Sequence, residues 1–116
     1  MIYAIDFDGT LCTDEYPEIG YPIEEALNAV RELHKLGHTI IIWTCRHGEH
    51  LKAALAWLDY FNVPYDYVNE NVPWLIEKYG DCRKIYADRY IYSEKIPSQT
   101  WEDILREARD CRGIPL

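Results

Sequence analysis

Residues His38-Thr39-Ile40-Ile41-Ile42-Trp43 form an unbroken apolar, β-branched run, and a strand that does not alternate polar with apolar side chains is one covered on both faces. Such strands sit inside parallel sheets whose connections are helices. The rest of the chain agrees. Apolar runs at residues 2 to 7, Tyr65 to Val68 and Ile85 to Tyr92 alternate with stretches of helical period, and no repeat or linker interrupts them.

The helical stretches carry their own start and stop signals. After a loop from Leu11 to Tyr21 containing Pro17 and Gly20, Pro22 is expected to open a helix whose buried stripe is Ile23, Ala26, Leu27, Val30 and Leu33, with Gly37 as its left-handed cap. A second helix runs through Leu51, Ala54, Leu55 and Leu58 and stops before Pro64. Asn69-Glu70-Asn71 makes a turn, Pro73 begins a short helix through Trp74, Leu75 and Tyr79, and Gly80 ends it. Thr100 and Asp103 form a capping-box pattern ahead of Trp101, Ile104, Leu105 and Ala108, the stripe of a last helix. Four strands and four helices fit one α/β, Rossmann-like, three-layer domain over residues 1–116, with a mainly parallel four-stranded sheet. At 116 residues there is no room for a separate cap domain, so a site has to be built from the sheet and its loops.

Composition narrows the functional classes. Hydrophobic residues are 48% and charged residues 28%, which describes a globular chain able to bury a core. A formal net charge of -8 argues against an extended nucleic-acid face, because that mode of binding needs clustered Lys and Arg. No apolar run is long enough for a membrane span, and the start MIYAID is a strand rather than a basic leader, so a cytoplasmic location is expected. Cys12, Cys45, Cys82 and Cys111 lack zinc-site spacing and are expected to be reduced and mostly buried; a redox link between Cys12 and Cys45 is a secondary reading.

Chemistry is announced by Asp6 and Asp8, two residues apart at the end of the first strand. A strand has a period of two, so both carboxylates are expected on one side, where a cation offsets their repulsion. Open parallel sheets bind ligands beyond the carboxyl ends of their strands. Thr44 follows the second strand, Asn69 to Asn71 the third, and Lys84 precedes the fourth.

In this order the motifs resemble those of the haloacid dehalogenase-like superfamily over nearly the whole chain. Tyr3-Ala4-Ile5-Asp6-Phe7-Asp8-Gly9-Thr10 is similar to its first motif, Ile40-Ile41-Ile42-Trp43-Thr44 to its second, and Lys84 to its third. The stretches Trp43 to Arg46, Val68 to Asn71 and Arg83 to Asp88 also resemble small, cap-less bacterial and phage hydrolases. The resemblance implies a Mg²⁺-dependent phosphatase acting on a small phosphorylated substrate or a terminal phosphate. Asp6 would be the nucleophile, giving an aspartyl-phosphate, and Asp8 the general acid and base. Mg²⁺ would be held by Asp6 and the Asp8 main-chain carbonyl, Thr44 would donate to phosphate, and Lys84 would neutralise charge. Arg46 is a candidate substrate contact because it directly follows Thr44. An aspartate two residues after the nucleophile implies phosphate ester chemistry rather than dehalogenation.

The fourth motif departs from the superfamily. Its acidic pair is replaced by Tyr92-Ser93, with Glu94 the nearest acid for the metal, and Asp88 is expected at the opposite side of the sheet. That departure motivates a second reading, a catalytically weakened domain that binds a phosphorylated ligand or partner. Without a cap, access to the site falls to the Leu11 to Tyr21 loop or to a neighbouring subunit in an oligomer.

Overall fold

Ile40, Ile41 and Ile42 are fully buried and lie on an inner strand, as a run without alternation requires. The computed structural model describes residues 1–79, 85–92 and 100–111, except for the side chains of Tyr79 and Cys111. In chain order the elements are β1 (Ile2–Ile5), α1 (Glu24–Lys35), β2 (Thr39–Ile42), α2 (Gly48–Tyr60), β3 (Tyr67–Val68), α3 (Pro73–Tyr79), β4 (Arg89–Ile91) and α4 (Trp101–Cys111). All pairings are parallel, in the order β3-β2-β1-β4, and Tyr3 of β1 lies opposite both Ile40 and Arg89.

The two faces of the sheet bury different partners. Tyr3, Ile5, Ile40, Ile42 and Ile91 pack with Leu27 and Val30 of α1, Leu58 of α2 and Ile104 of α4. Ile2, Ala4 and Ile41 point the other way, to Val72, Ala87 and Leu75 of α3. This is a three-layer α/β domain of the Rossmann-like kind, with one helical layer much heavier than the other.

Local signals explain most element ends. Gly37 adopts φ 94°, and the His38 N–H reaches back to the Leu33 carbonyl at 3.2 Å, a left-handed stop for α1. The capping box of α4 forms: Asp103 N–H donates to Thr100 Oγ1 at 3.1 Å, and Thr100 N–H donates to Asp103 Oδ2 at 3.2 Å. These bonds hold the Asp103 carboxyl below its usual range.

Several boundaries differ from expectation: β1 stops at Ile5 and β3 begins only at Tyr67, and two further shifts have a visible cause. Pro22 does not open α1; it bridges Cys12, and Ile23 N–H donates to the Leu11 carbonyl at 3.0 Å, so closure of the loop keeps the chain extended until Glu24. The last strand is shorter than Ile85 to Tyr92. Asn71 Oδ1 accepts the Tyr86 N–H at 2.7 Å, and the Tyr90 hydroxyl binds the Ile85 carbonyl and the Ala87 N–H, so side chains rather than a neighbouring strand satisfy residues 85–87.

The amino edge of the sheet is finished by two aspartates. Asp88 Oδ2 accepts the Ile2 N–H at 2.6 Å and Asp66 Oδ2 accepts the Ile40 N–H at 2.8 Å. Asp88 is thus a structural acid at the edge away from Asp6, as its place before β4 suggested. Among the described residues no helix is long and apolar enough to cross a membrane.

Candidate functional site at the carboxyl edge

Backbone hydrogen bonds continue one residue past the strands and line up the first residues of the loops. Asp6 N–H donates to the Ile91 carbonyl, Trp43 N–H to Ile5 and Asn69 N–H to Ile42, each at 2.9 Å. Asp6, Trp43 and Asn69 are thereby fixed in a row. In the order β3-β2-β1-β4 the winding reverses between β1 and β4, and a crevice outside the carboxyl ends is the place where such sheets bind ligands.

A cleft of about 570 Å³ opens there, with Asp6, Thr44 and Asn69 as its polar groups and Trp43, Tyr90 and Tyr92 as its aromatic ones. Asp6 is half-buried, and its Oδ1 accepts the Phe7 N–H at 2.8 Å, which orients the carboxylate. Thr44 is clamped. Asn69 Oδ1 accepts its N–H at 2.8 Å while Asn69 Nδ2 donates to its carbonyl at 2.9 Å, an extension of the β2–β3 pairing made by a side chain. Asn69 does this from φ 50°, a left-handed conformation that asparagine tolerates. The Thr44 hydroxyl accepts the Arg46 N–H at 3.1 Å, and a hydroxyl that accepts keeps its own proton to donate.

Asp8 and Arg46 form a second assembly beside the cleft. Arg46 Nε donates to Asp8 Oδ2 and Nη2 to Oδ1, both at 2.7 Å, a fork that occupies both carboxylate oxygens. The remaining donors go to main-chain carbonyls: Nη1 to Pro17 at 3.2 Å and His50 at 3.4 Å, Nη2 to Glu18 at 3.0 Å. The guanidinium lies 5.3 Å from the Phe7 ring and 5.0 Å from the Tyr16 ring. Its side chain is 1% exposed. Bonding to Asp8 holds Arg46 above its already high pKa against the opposing effect of burial.

Arg46 was expected to face substrate. In this structure its donors are turned into the protein, to Asp8, to the Leu11 to Tyr21 loop and to the His50 carbonyl, rather than toward the cleft. That loop is a closed flap: Thr13 N–H donates to the Tyr21 carbonyl at 2.9 Å, and Tyr21 N–H to Thr13 Oγ1 at 2.8 Å. Gly20 is required where it stands, since a Cβ there would sit 2.0 Å from the Thr13 carbonyl oxygen. Cys12, within this loop, is buried, and burial pushes its thiol pKa up, while Cys45 is exposed; both are free thiols.

The sequence motifs are brought together unequally. Asp6 and Thr44 share the cleft, whereas the Asp8 carboxylate faces Arg46. Lys84, Ser93 and Glu94 lie outside the described residues. Among the described residues no three acids, histidines or cysteines converge as metal ligands. In the sequence Asn69 reads as part of a turn, and neither Trp43 nor Tyr90 stands out as a site residue. The signal for the aromatic group was Tyr90 and Tyr92 two apart on one strand, which places both on the face of Asp6.

No protein-family model and no curated protein matches the chain. Solved structures do. A crystal structure of a target protein from Vibrio cholerae is 26% identical, with a TM-score of 0.50 over 95% of this chain and 98% of that one. A conserved protein from Bacteroides thetaiotaomicron is 30% identical over 96% of this chain and 91% of its own, with a TM-score of 0.82. On that identity and coverage, the chain belongs to the same family as the conserved Bacteroides thetaiotaomicron protein.

Proposed function

We propose that the protein is a phosphomonoester hydrolase in which Asp6 attacks phosphorus in line and forms an aspartyl-phosphate. The observation that carries this reading is the pairing of an oriented carboxylate, Asp6, with a clamped hydroxyl donor, Thr44, in one cleft at the carboxyl edge of a parallel sheet. The Thr44 proton is positioned to meet a phosphate oxygen, where charge builds as the phosphoryl group transfers. Because Asn69 fixes both backbone groups of Thr44, the donor needs little reorganisation when substrate arrives.

The polar groups of the cleft are hard oxygen and amide donors, which suits Mg²⁺, an ion that keeps several waters and needs only one or two carboxylates beside a substrate phosphate. The Asp6 carboxylate and the Asp8 main-chain carbonyl would hold it, with Glu94 the further acid implied by sequence. When bound, it supplies charge neutralisation on the phosphoryl oxygens. To serve as acid and base, Asp8 would use the lone pairs that the Arg46 fork leaves open, since each of its oxygens already accepts one hydrogen bond from the guanidinium.

That closed fork favours one second reading, a domain that binds a phosphorylated ligand and turns it over slowly. Hydrolysis of 4-nitrophenyl phosphate with added Mg²⁺ separates the two. The hydrolase reading expects metal-dependent turnover that falls by about 10³-fold or more in Asp6→Asn. Turnover no higher in the parent than in Asp6→Asn, across a panel of phosphate esters, rules it out.

A further inference from the structure

We propose that the ester bound in this cleft carries a flat aromatic ring on its leaving group, with the ring packed against Trp43, Tyr90 and Tyr92. The proposal rests on the phosphomonoester reading and names its substrate class. Strand alternation puts Asp6, Trp43, Tyr90 and Tyr92 on one face of the sheet, so the nucleophile candidate and three rings share a cleft. At about 570 Å³ it falls in the range of small-molecule sites and has room for far more than a phosphoryl group.

The rings are built as a preformed wall. Trp43 meets Tyr90 at 5.4 Å between centroids and 65°, and Tyr92 at 5.8 Å and 83°. These are edge contacts, so none of the three covers another by parallel stacking. The Tyr90 hydroxyl is tied to the Ile85 carbonyl and the Ala87 N–H, which fixes that ring, and the Trp43 main-chain N–H to the Ile5 carbonyl, which fixes the backbone that carries the indole. Trp43 nevertheless remains 37% exposed, a large apolar ring kept in reach of a ligand. The three rings, with Ile85 beside them, supply the apolar lining against which a flat leaving group can pack.

The test is equilibrium binding by calorimetry on the full chain in EDTA, so that no metal-dependent turnover consumes the ester, using 1-naphthyl phosphate, adenosine 5′-monophosphate and glycerol 3-phosphate. The proposal expects at least one ring-bearing ester to bind about tenfold or more tightly than glycerol 3-phosphate, and which one does so distinguishes a simple aryl ester from a nucleotide. In Trp43→Leu, which keeps apolar bulk, and in Tyr92→Leu, the ratio of ring-bearing to ring-free affinity should fall several-fold. Equal affinities in the parent protein, or an unchanged ratio in both folded variants, overturns it. Binding needs no turnover, so a protein that binds naphthyl phosphate selectively yet hydrolyses no ester refutes the hydrolase reading alone.

Discussion

At the scale of single residues, the decisive side chain is Arg46. Its five N–H groups serve one carboxylate and three carbonyls, joining the segment after β1, the flap and the first turn of α2. Removing one partner of a buried, hydrogen-bonded pair leaves the rest unsatisfied, so Arg46→Met should lower stability by about 3 kcal/mol or more in urea unfolding. Arg46→Lys should recover little of the loss, because an ammonium cannot reproduce a planar fork. A double-mutant cycle with Asp8→Ala checks the assignment: the two losses should fall well short of adding, since either change breaks the same pair. Thr44 shows the opposite use of a residue, held by its neighbours and left with a proton to give. If the hydrolase reading is right, Thr44→Val should cost about 10²-fold in kcat, and because it also takes the acceptor from the Arg46 N–H it should lower stability by about 1 kcal/mol.

At the scale of elements, α4 depends on its first turn. Thr100 and Asp103 satisfy each other's backbone N–H groups ahead of a helix that buries Trp101, Ile104 and Ala108. Thr100→Ala should therefore cost about 1 kcal/mol, measured by chemical denaturation, while Thr100→Ser should be close to neutral. The capping box was legible because its partners are three residues apart. The start of α1 was not legible in the same way: Pro22 favours a first helical turn locally, yet a contact with Cys12, ten residues away, holds it extended. The short β4 has a similar cause, since the hydroxyl of Tyr90 and the amide of Asn71 outcompete sheet pairing for residues 85–87.

At the scale of the whole molecule, His38 ties the first strand to the last helix. It is 2% exposed; its Nδ1 faces the Met1 amino group at 2.9 Å, and its Nε2 faces the Ala108 carbonyl at 2.9 Å. Burial pushes its pKa below the ordinary 6.5, with the Met1 amino group acting in the same direction and the Ala108 carbonyl and Asp88 opposing. The folded state therefore holds neutral His38, and the unfolded state takes up the proton first as pH falls. This contribution to stability is complete above pH about 6.5 and is lost as the pH drops through the lower folded value. Thermal melts between pH 8 and 5 should show a falling midpoint, and His38→Gln should flatten that slope at some cost in stability at pH 8.

The sequence by itself determined the class of fold and the edge at which to look for chemistry, because both follow from local periodicity: an unbroken isoleucine run means an inner strand, and Asp6 and Thr44 follow strands that must be parallel. Tertiary structure alone decided which charges meet. Asp8 and Arg46 are 38 residues apart, and nothing in their spacing shows that one fork consumes both of them. It also decided that Trp43, Tyr90 and Tyr92 join Asp6 in one cleft, since three rings on two strands become neighbours only when β1 is inserted between β2 and β4 and all the strands share one twist and one face. Periodicity is a property of a segment, whereas the pairing of distant polar groups is set by strand order and register.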